Sequence, residues 1–319
     1  MTAQLIDTSN SAHLWAERYD RVIEDVFDVQ EEITRSIVAA VAPEIQNAEI
    51  AGMRRSRPGN FRAYEIAMRS WSEATAADAA GNREKCNRAL ALADEALQKD
   101  PACVLALVAK AFAHFQHAFY GTGELEKSLV LAREAATAAT RTDHLDHRAH
   151  AYMAMGHLAA GDFDGALAEA RYAQDLNPND VLALRTLGWV EAASGETAAA
   201  SEHLHQALRL NPRDPFRFEI HTVLGIACFM DEDYAKGVEW GLLSVSENPS
   251  YPGTLITLAQ NLVGMGDIKR AQGHIATLRS VAPDWLTKRL AGASGYKRPR
   301  DRERQVRFLR IATGLESTE

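Results

Sequence analysis

The feature that most limits what this chain can fold into is a period. The stretch "GHLAAGDFDGALAEARYAQDLNPND" at 156–180 returns as "GWVEAASGETAAASEHLHQALRLNPRD" at 188–214. Pro178 and Pro212 stand 34 residues apart, as do Gly161 and Gly195, and Pro249 and Pro283, while Ala166 and Ala173 return as Ala200 and Ala207. Between Pro212 and Pro249 the spacing is 37, the extra residues falling where "PRDPFRF" lengthens a turn. A chain that repeats at this interval builds one small unit several times, and such units bury their apolar faces only against one another.

Each unit reads as two helices. Leu184, Leu187 and Gly188 follow the i, i+3, i+4 spacing of a helical face, a Gly-acidic turn follows, and a second run ends at Asn-Pro or Ala-Pro. Proline stops the helix there, because it lacks an amide donor and clashes with the preceding turn. Small residues recur where the two helices must approach: Ala154, Gly188, Gly225 and Ala259 on the first, Ala166, Ala200, Gly237 and Ala271 on the second.

This pattern resembles the tetratricopeptide repeat, a 34-residue helix-turn-helix unit, and does so most clearly over 146–283. Upstream, "RALALADEALQKDP" at 88–101 reads as another second helix, and 103–139 as a longer pair around "YGTGE". The expected fold class is therefore mostly α: an α-solenoid of about six helix pairs over 61–283, with capping helices and a tail over 284–319. The resemblance implies a non-enzymatic module that binds a peptide, helix or domain in the concave groove of the array. Carried onto this sequence, the family's groove-facing positions include Arg148, Met155, Arg185, Trp189, Thr222, Ile226, Phe229, Ile256, Gln260 and Val263. The set is largely apolar. It lacks the Lys/Asn/Arg grouping by which some members hold a C-terminal carboxylate, which points to an apolar helix, a sister subunit or a domain of the same polypeptide as partner.

The chain opens differently. Thr2 to Asp7 and His13 to Tyr19 are β-compatible runs around a Thr-Ser-Asn-Ser turn, and Val26, Val29, Ile33, Ile37 and Val41 form one helical stripe behind Asp25 as N-cap. Residues 1–54 are read as a hairpin and amphipathic helix from a partial α/β domain, and 55–60 as a linker with Asn60 placed to cap the first repeat helix. The order "AQLID…AHLWAERYDR…DVFDVQEEI", with the closing "RDRERQVRFLRIATGL", resembles bacterial multidomain proteins related to class III adenylate or guanylate cyclases. In that family a cyclase or winged-helix domain precedes a small α/β domain and then repeats. The alternative it implies is the regulatory C-terminal part of such a protein, its effector domain absent from this chain. The cyclase domain with its metal-binding aspartates is missing, so no residue here inherits a catalytic role. A lone hairpin has open edges, so it is expected to be completed by strands upstream of Met1 or by the same hairpin of a second molecule.

Other candidate chemistry is thin. "DHLDHRAH" sets His144, His147 and His150 three apart, a spacing that drifts around a helix, and the expected reading is a helix start capped by Asp143 with exposed histidines rather than a metal site. His114 with His117, and His203 with His205, are likewise expected on the surface. "GTGE" and "GMGD" are inter-helix turns, since neither continues to a Lys-Ser/Thr. No cofactor is expected. A formal charge of -8 argues against broad nucleic-acid binding, and the short "RRSR" and "KRPRDRER" runs read as solvated basic faces. Three widely spaced cysteines and the lack of a long apolar run suggest a cytoplasmic protein that does not engage a membrane.

Overall fold

Proline, glycine and aspartate punctuate the helical part at the places the period marks. In a computed structural model of the protein, residues 2–7, 12–18, 58–76, 83–293 and 295–317 are described, with side chains from residue 61 onward. Six helix pairs follow in order: α1 (Pro58–Thr75) with α2 (Arg83–Lys99), α3 (Val104–Phe119) with α4 (Leu125–Thr142), and α5 (His147–Ala159) with α6 (Phe163–Leu176). Then come α7 (Val181–Ser194) with α8 (Thr197–Leu210), α9 (Arg217–Met230) with α10 (Tyr234–Glu247), and α11 (Pro252–Gly264) with α12 (Ile268–Val281). Two further helices, α13 (Pro283–Leu290) and α14 (Pro299–Thr313), complete the described chain.

Most helices start and stop where local chemistry requires. The carboxylates of Asp146, Asp162, Asp180, Asp233 and Asp267 each accept from backbone N–H groups of the helix they open, satisfying donors with no intrahelical partner. Asp146 is the cap of α5. The sequence had pointed to Asp143, whose carboxylate instead accepts from the Leu145 N–H at the end of the preceding turn. Gly161 and Gly195 end α5 and α7 with φ of 77° and 88°, a conformation that favours glycine over residues with a Cβ. The first repeat helix begins at Pro58, so Asn60 lies inside it rather than capping it. Proline suits a first helical position, where its missing N–H costs nothing.

The two helices of a pair are buried to different degrees. In α3 every residue from Leu105 to Ala118 except Lys110 is buried, whereas α6, α8 and α12 each bury one stripe: Ala166, Ala170 and Ala173; Ala200, Leu204 and Ala207; Ala271, Ile275 and Leu278. The first helices pack on both neighbouring first helices and on the second helix before them, so they form the inner layer, and the second helices form the outer one. His114 and His117 are consequently buried, contrary to the surface position expected of them. His117 is held by Thr122 at 2.8 Å and Asn87 at 3.1 Å, and burial pushes the His114 imidazole down to about 4.

The array curls tightly enough to meet itself. Phe112 of α3 packs on Tyr152 of α5 and, at 5.5 Å between ring centres, on Phe216 just before α9. Tyr120 packs on Phe218 and Tyr251. A Cβ placed on Gly121, whose φ is 67°, would lie 2.9 Å from the Ala282 Cβ, so the turn of the second pair touches the end of the sixth.

At the start of the chain, β1 (Thr2–Asp7) and β2 (Ala12–Arg18) pair antiparallel, Thr2 opposite Arg18 and Leu5 opposite Trp15, with an irregularity between Leu5 and Ile6. The helix expected over 25–42 lies outside the described residues. Among the described residues no helix is long and apolar enough to cross a membrane.

Candidate interaction groove

The positions expected to face the groove are largely buried. Met155, Arg185, Thr222, Ile226, Phe229, Ile256, Gln260 and Val263 are buried, while Arg148 and Trp189 are half-buried. Five of them, Met155, Trp189, Thr222, Ile226 and Ile256, line one inner chamber of about 100 Å³. Thr222 also joins a hydroxyl cluster with Ser244 and Thr254 that ties α9 to α10 and α11. Val263 packs in the apolar cluster of the last pair.

The two arginines of the set are held by charge. Arg148 folds back on the Asp146 carboxylate at 2.6 Å. Arg185 lies 3.3 Å from Glu219 and 3.9 Å from Asp214, with its guanidinium over the Phe216 ring. Burial pushes the Glu219 carboxyl above its usual range, against the pull of Arg185. This pair is enclosed by Tyr152 and the surrounding aromatics, where a charge left without a counter-ion is costly.

The C-terminal segment adds to the cover that the curl of the array provides. Residues 283–313 do more than cap the last pair: they run along the ends of the first helices from the second pair to the sixth. The Trp285 indole N–H donates to the Ala118 carbonyl at 2.8 Å while its ring packs on Phe119, and Lys288 pairs with Glu126. The Lys297 N–H donates to the Ala193 carbonyl and its ammonium pairs with Asp164 at 2.6 Å. Tyr296 packs on Phe229 and donates to Gln260 at 3.3 Å.

Arg304 shows why α14 sits where it does. Its guanidinium donates to the carbonyls of Phe229 and Met230 at the end of α9, pairs with Glu232, and lies 4.6 Å from the centre of the Phe229 ring. Asp301, fully buried, holds both Arg298 at 2.6 Å and Arg304 at 2.8 Å. A cation against the carbonyl end of a helix is favourable, since orphan carbonyls and the helix dipole concentrate negative charge there. Phe308 completes the contact against Phe229 and Tyr234.

Among the described residues, no group of histidines, cysteines and carboxylates is placed to hold a metal ion. His150 is buried and hydrogen-bonds Glu169 at 2.6 Å and the His144 carbonyl at 3.0 Å, His147 is half-buried beside Asp180, and His144 is exposed. The expectation of three exposed imidazoles therefore holds for His144 alone, because α5 is an inner helix whose first turn packs on its neighbours. His203 and His205 are half-buried, held by Glu191 and the Ser201 carbonyl. Sequence reasoning missed Trp285, Tyr296, Arg298, Arg304 and Phe308. Their only signal was an aromatic and basic content beyond the last periodic proline.

The tetratricopeptide repeat family matches residues 157–218. A protein of Rhizobium meliloti (strain 1021) named as an adenylate cyclase is 44% identical over 72 residues, which are 22% of this chain and 12% of that protein. The chain thus spans a small part of that relative's length. Among solved structures, the Cut9–Hcn1 hetero-tetramer of the APC/C is similar over 90% of this chain and 56% of that one, with a TM-score of 0.53 at 16% identity. PilF of Pseudomonas aeruginosa is similar over 69% of this chain and 94% of that one, with a TM-score of 0.45 at 17% identity. The repeat match over residues 157–218 runs from α5 to α9, inside the six stacked helix pairs of an α-solenoid.

Proposed function

We propose that this chain is a non-enzymatic protein-interaction module whose partner is an amphipathic helix that takes the place residues 283–313 hold along the inner helices. The observation that carries this reading is the way the segment is seated. An aromatic anchor, Trp285, and an arginine on helix-end carbonyls, Arg304, engage the first helices α3 and α9 through groups any suitably patterned helix could supply. Helix-in-groove recognition uses apolar anchors of this kind at helical spacing. The groove set of Met155, Trp189, Ile226, Phe229, Ile256 and Val263 favours an apolar face on the partner, while Arg148, Arg185 and Thr222 are tied within the array.

A fluorescent peptide covering residues 283–317 tests the reading. It should bind the double variant Trp285→Ala, Phe308→Ala about tenfold or more tightly than wild type, because the weakened internal segment competes less. A variant that keeps wild-type helicity by circular dichroism and binds no peptide would sink the proposal.

A second reading rests on the cyclase-like stretch: the chain is the regulatory C-terminal part of a class III nucleotide cyclase or winged-helix regulator. Its support is the 44% identity over 72 residues, together with the hairpin that precedes the repeats. Sequencing the DNA immediately upstream of Met1 tests it. An in-frame cyclase or winged-helix domain supports the reading, and an unrelated upstream gene with its own stop codon removes it.

A further inference from the structure

Where the C-terminal segment crosses the inner helices it leaves a cavity in two compartments. The inner chamber, about 100 Å³, is walled by Trp189, Trp285, Ile226 and Met155, and the outer one, about 300 Å³, opens beside Leu125 and Lys288. They share Phe119, Leu158, Trp285 and Arg289. The inner volume is that of a single aromatic ring rather than a chain of solvent.

Its electrostatics are one-sided. Among the described residues no aspartate or glutamate lines the inner chamber, and Arg289 is its one cationic residue. The Arg289 guanidinium lies 5.2 Å from the centre of the Trp285 ring and donates to the Ala293 carbonyl at 2.8 Å, but it forms no ion pair among the described residues. Burial accordingly lowers its hold on its proton. Lys288, its neighbour, is already neutralised by Glu126. A second group in the wall is also incomplete. Gln305, 2% exposed, presents a side-chain oxygen with no hydrogen-bond partner, which is costly in an apolar wall unless something donates to it.

An uncompensated guanidinium, two indoles and an acceptor without a donor define one complementary shape. We propose that this cavity binds a small aromatic carboxylate carrying a ring hydroxyl. Its carboxylate takes Arg289 in the two-pronged geometry that guanidinium favours, its ring lies against Trp189 and Trp285, and its hydroxyl donates to Gln305 Oε1. Because Trp285 and Arg289 belong to the C-terminal segment and Trp189 to the repeats, the ligand holds the segment in place. The inference rests on the segment being seated, not on any partner displacing it.

Isothermal titration of the full chain with 4-hydroxybenzoate tests this, with benzoate and 4-hydroxybenzamide as comparison probes on the same protein. The expected result is saturable 1:1 binding with Kd between about 10 µM and 1 mM. Benzoate should bind about tenfold more weakly, since Gln305 stays unpaired, and the uncharged benzamide should not bind measurably. Arg289→Gln should abolish binding, Arg289→Lys should retain part of it, and Gln305→Leu should erase the difference between 4-hydroxybenzoate and benzoate. No saturable binding to wild type, or equal binding of the charged and uncharged probes, overturns the proposal. Hydrogen exchange over 283–313 on the same samples shows whether the segment is seated, so a failure of the ligand site is distinguished from a failure of the closed arrangement.

Discussion

Gly188 and Asp180 show how much depends on single side chains. A Cβ on Gly188 would lie 2.6 Å from Leu204 Cγ and 3.3 Å from the Ala200 carbonyl oxygen, so the first and second helices of this pair meet through the missing side chain. Gly188→Leu should destabilise the fold by about 1–3 kcal/mol or more, and thermal denaturation of the variant checks it; an unchanged midpoint would mean the helices do not approach there. This position was legible in the sequence, because a small residue recurs at it in each repeat. The burial of His114 and His150 was not, because single-residue polarity says nothing about which helix faces inward.

Asp180 makes a prediction about pH. Burial raises its carboxyl, but the His147 imidazole and the Ala183 N–H outweigh that and hold it below the usual range. A carboxylate with a lowered folded-state value stabilises the fold above the unfolded value, about 3.9, and that contribution is lost as pH falls through the folded value. Asp180→Asn, which keeps a capping oxygen, should therefore cost on the order of 1 kcal/mol at pH 7 and progressively less as pH falls below the unfolded value. Urea unfolding of both proteins across that range measures it, and a penalty that persists in acid would assign the loss to the cap rather than the charge.

At the scale of elements, the repeat helices were readable and the last two were not placed. The period marks each helix end through a proline, a glycine or an aspartate, so α5 to α12 fall where the spacing puts them. The period stops at Pro283. Beyond it the sequence offers amphipathic pieces with no register, and their partners are fixed only by the three-dimensional curl that brings α3 beside them. Trp285 is 8% exposed and is bonded through its indole N–H to α3. Trp285→Ala should cost about 3–5 kcal/mol if the segment unfolds with the whole, and less if it detaches alone. Denaturation followed separately by circular dichroism and by a fluorophore on the segment discriminates the two: coincident curves mean one cooperative unit, and an earlier fluorophore transition means a detachable element.

The whole molecule is an array curled until its second pair meets its sixth, its inner surface filled by aromatic side chains and its own C-terminal segment. The family resemblance supplied the groove positions as an expectation, and the contacts across the curl could not be read with them, because a repeat specifies neighbours one unit apart. Residues 283–313 should lie seated along the inner helices in solution as well. Hydrogen exchange of the full chain, resolved by peptide, tests it most directly. The amides of 300–312 should be protected to a degree comparable with those of α9, and Arg304→Ala with Trp285→Ala should release the segment while α5 and α7 stay protected. Rapid exchange over 283–313 in the wild-type chain, at the rate of an unstructured tail, would contradict it.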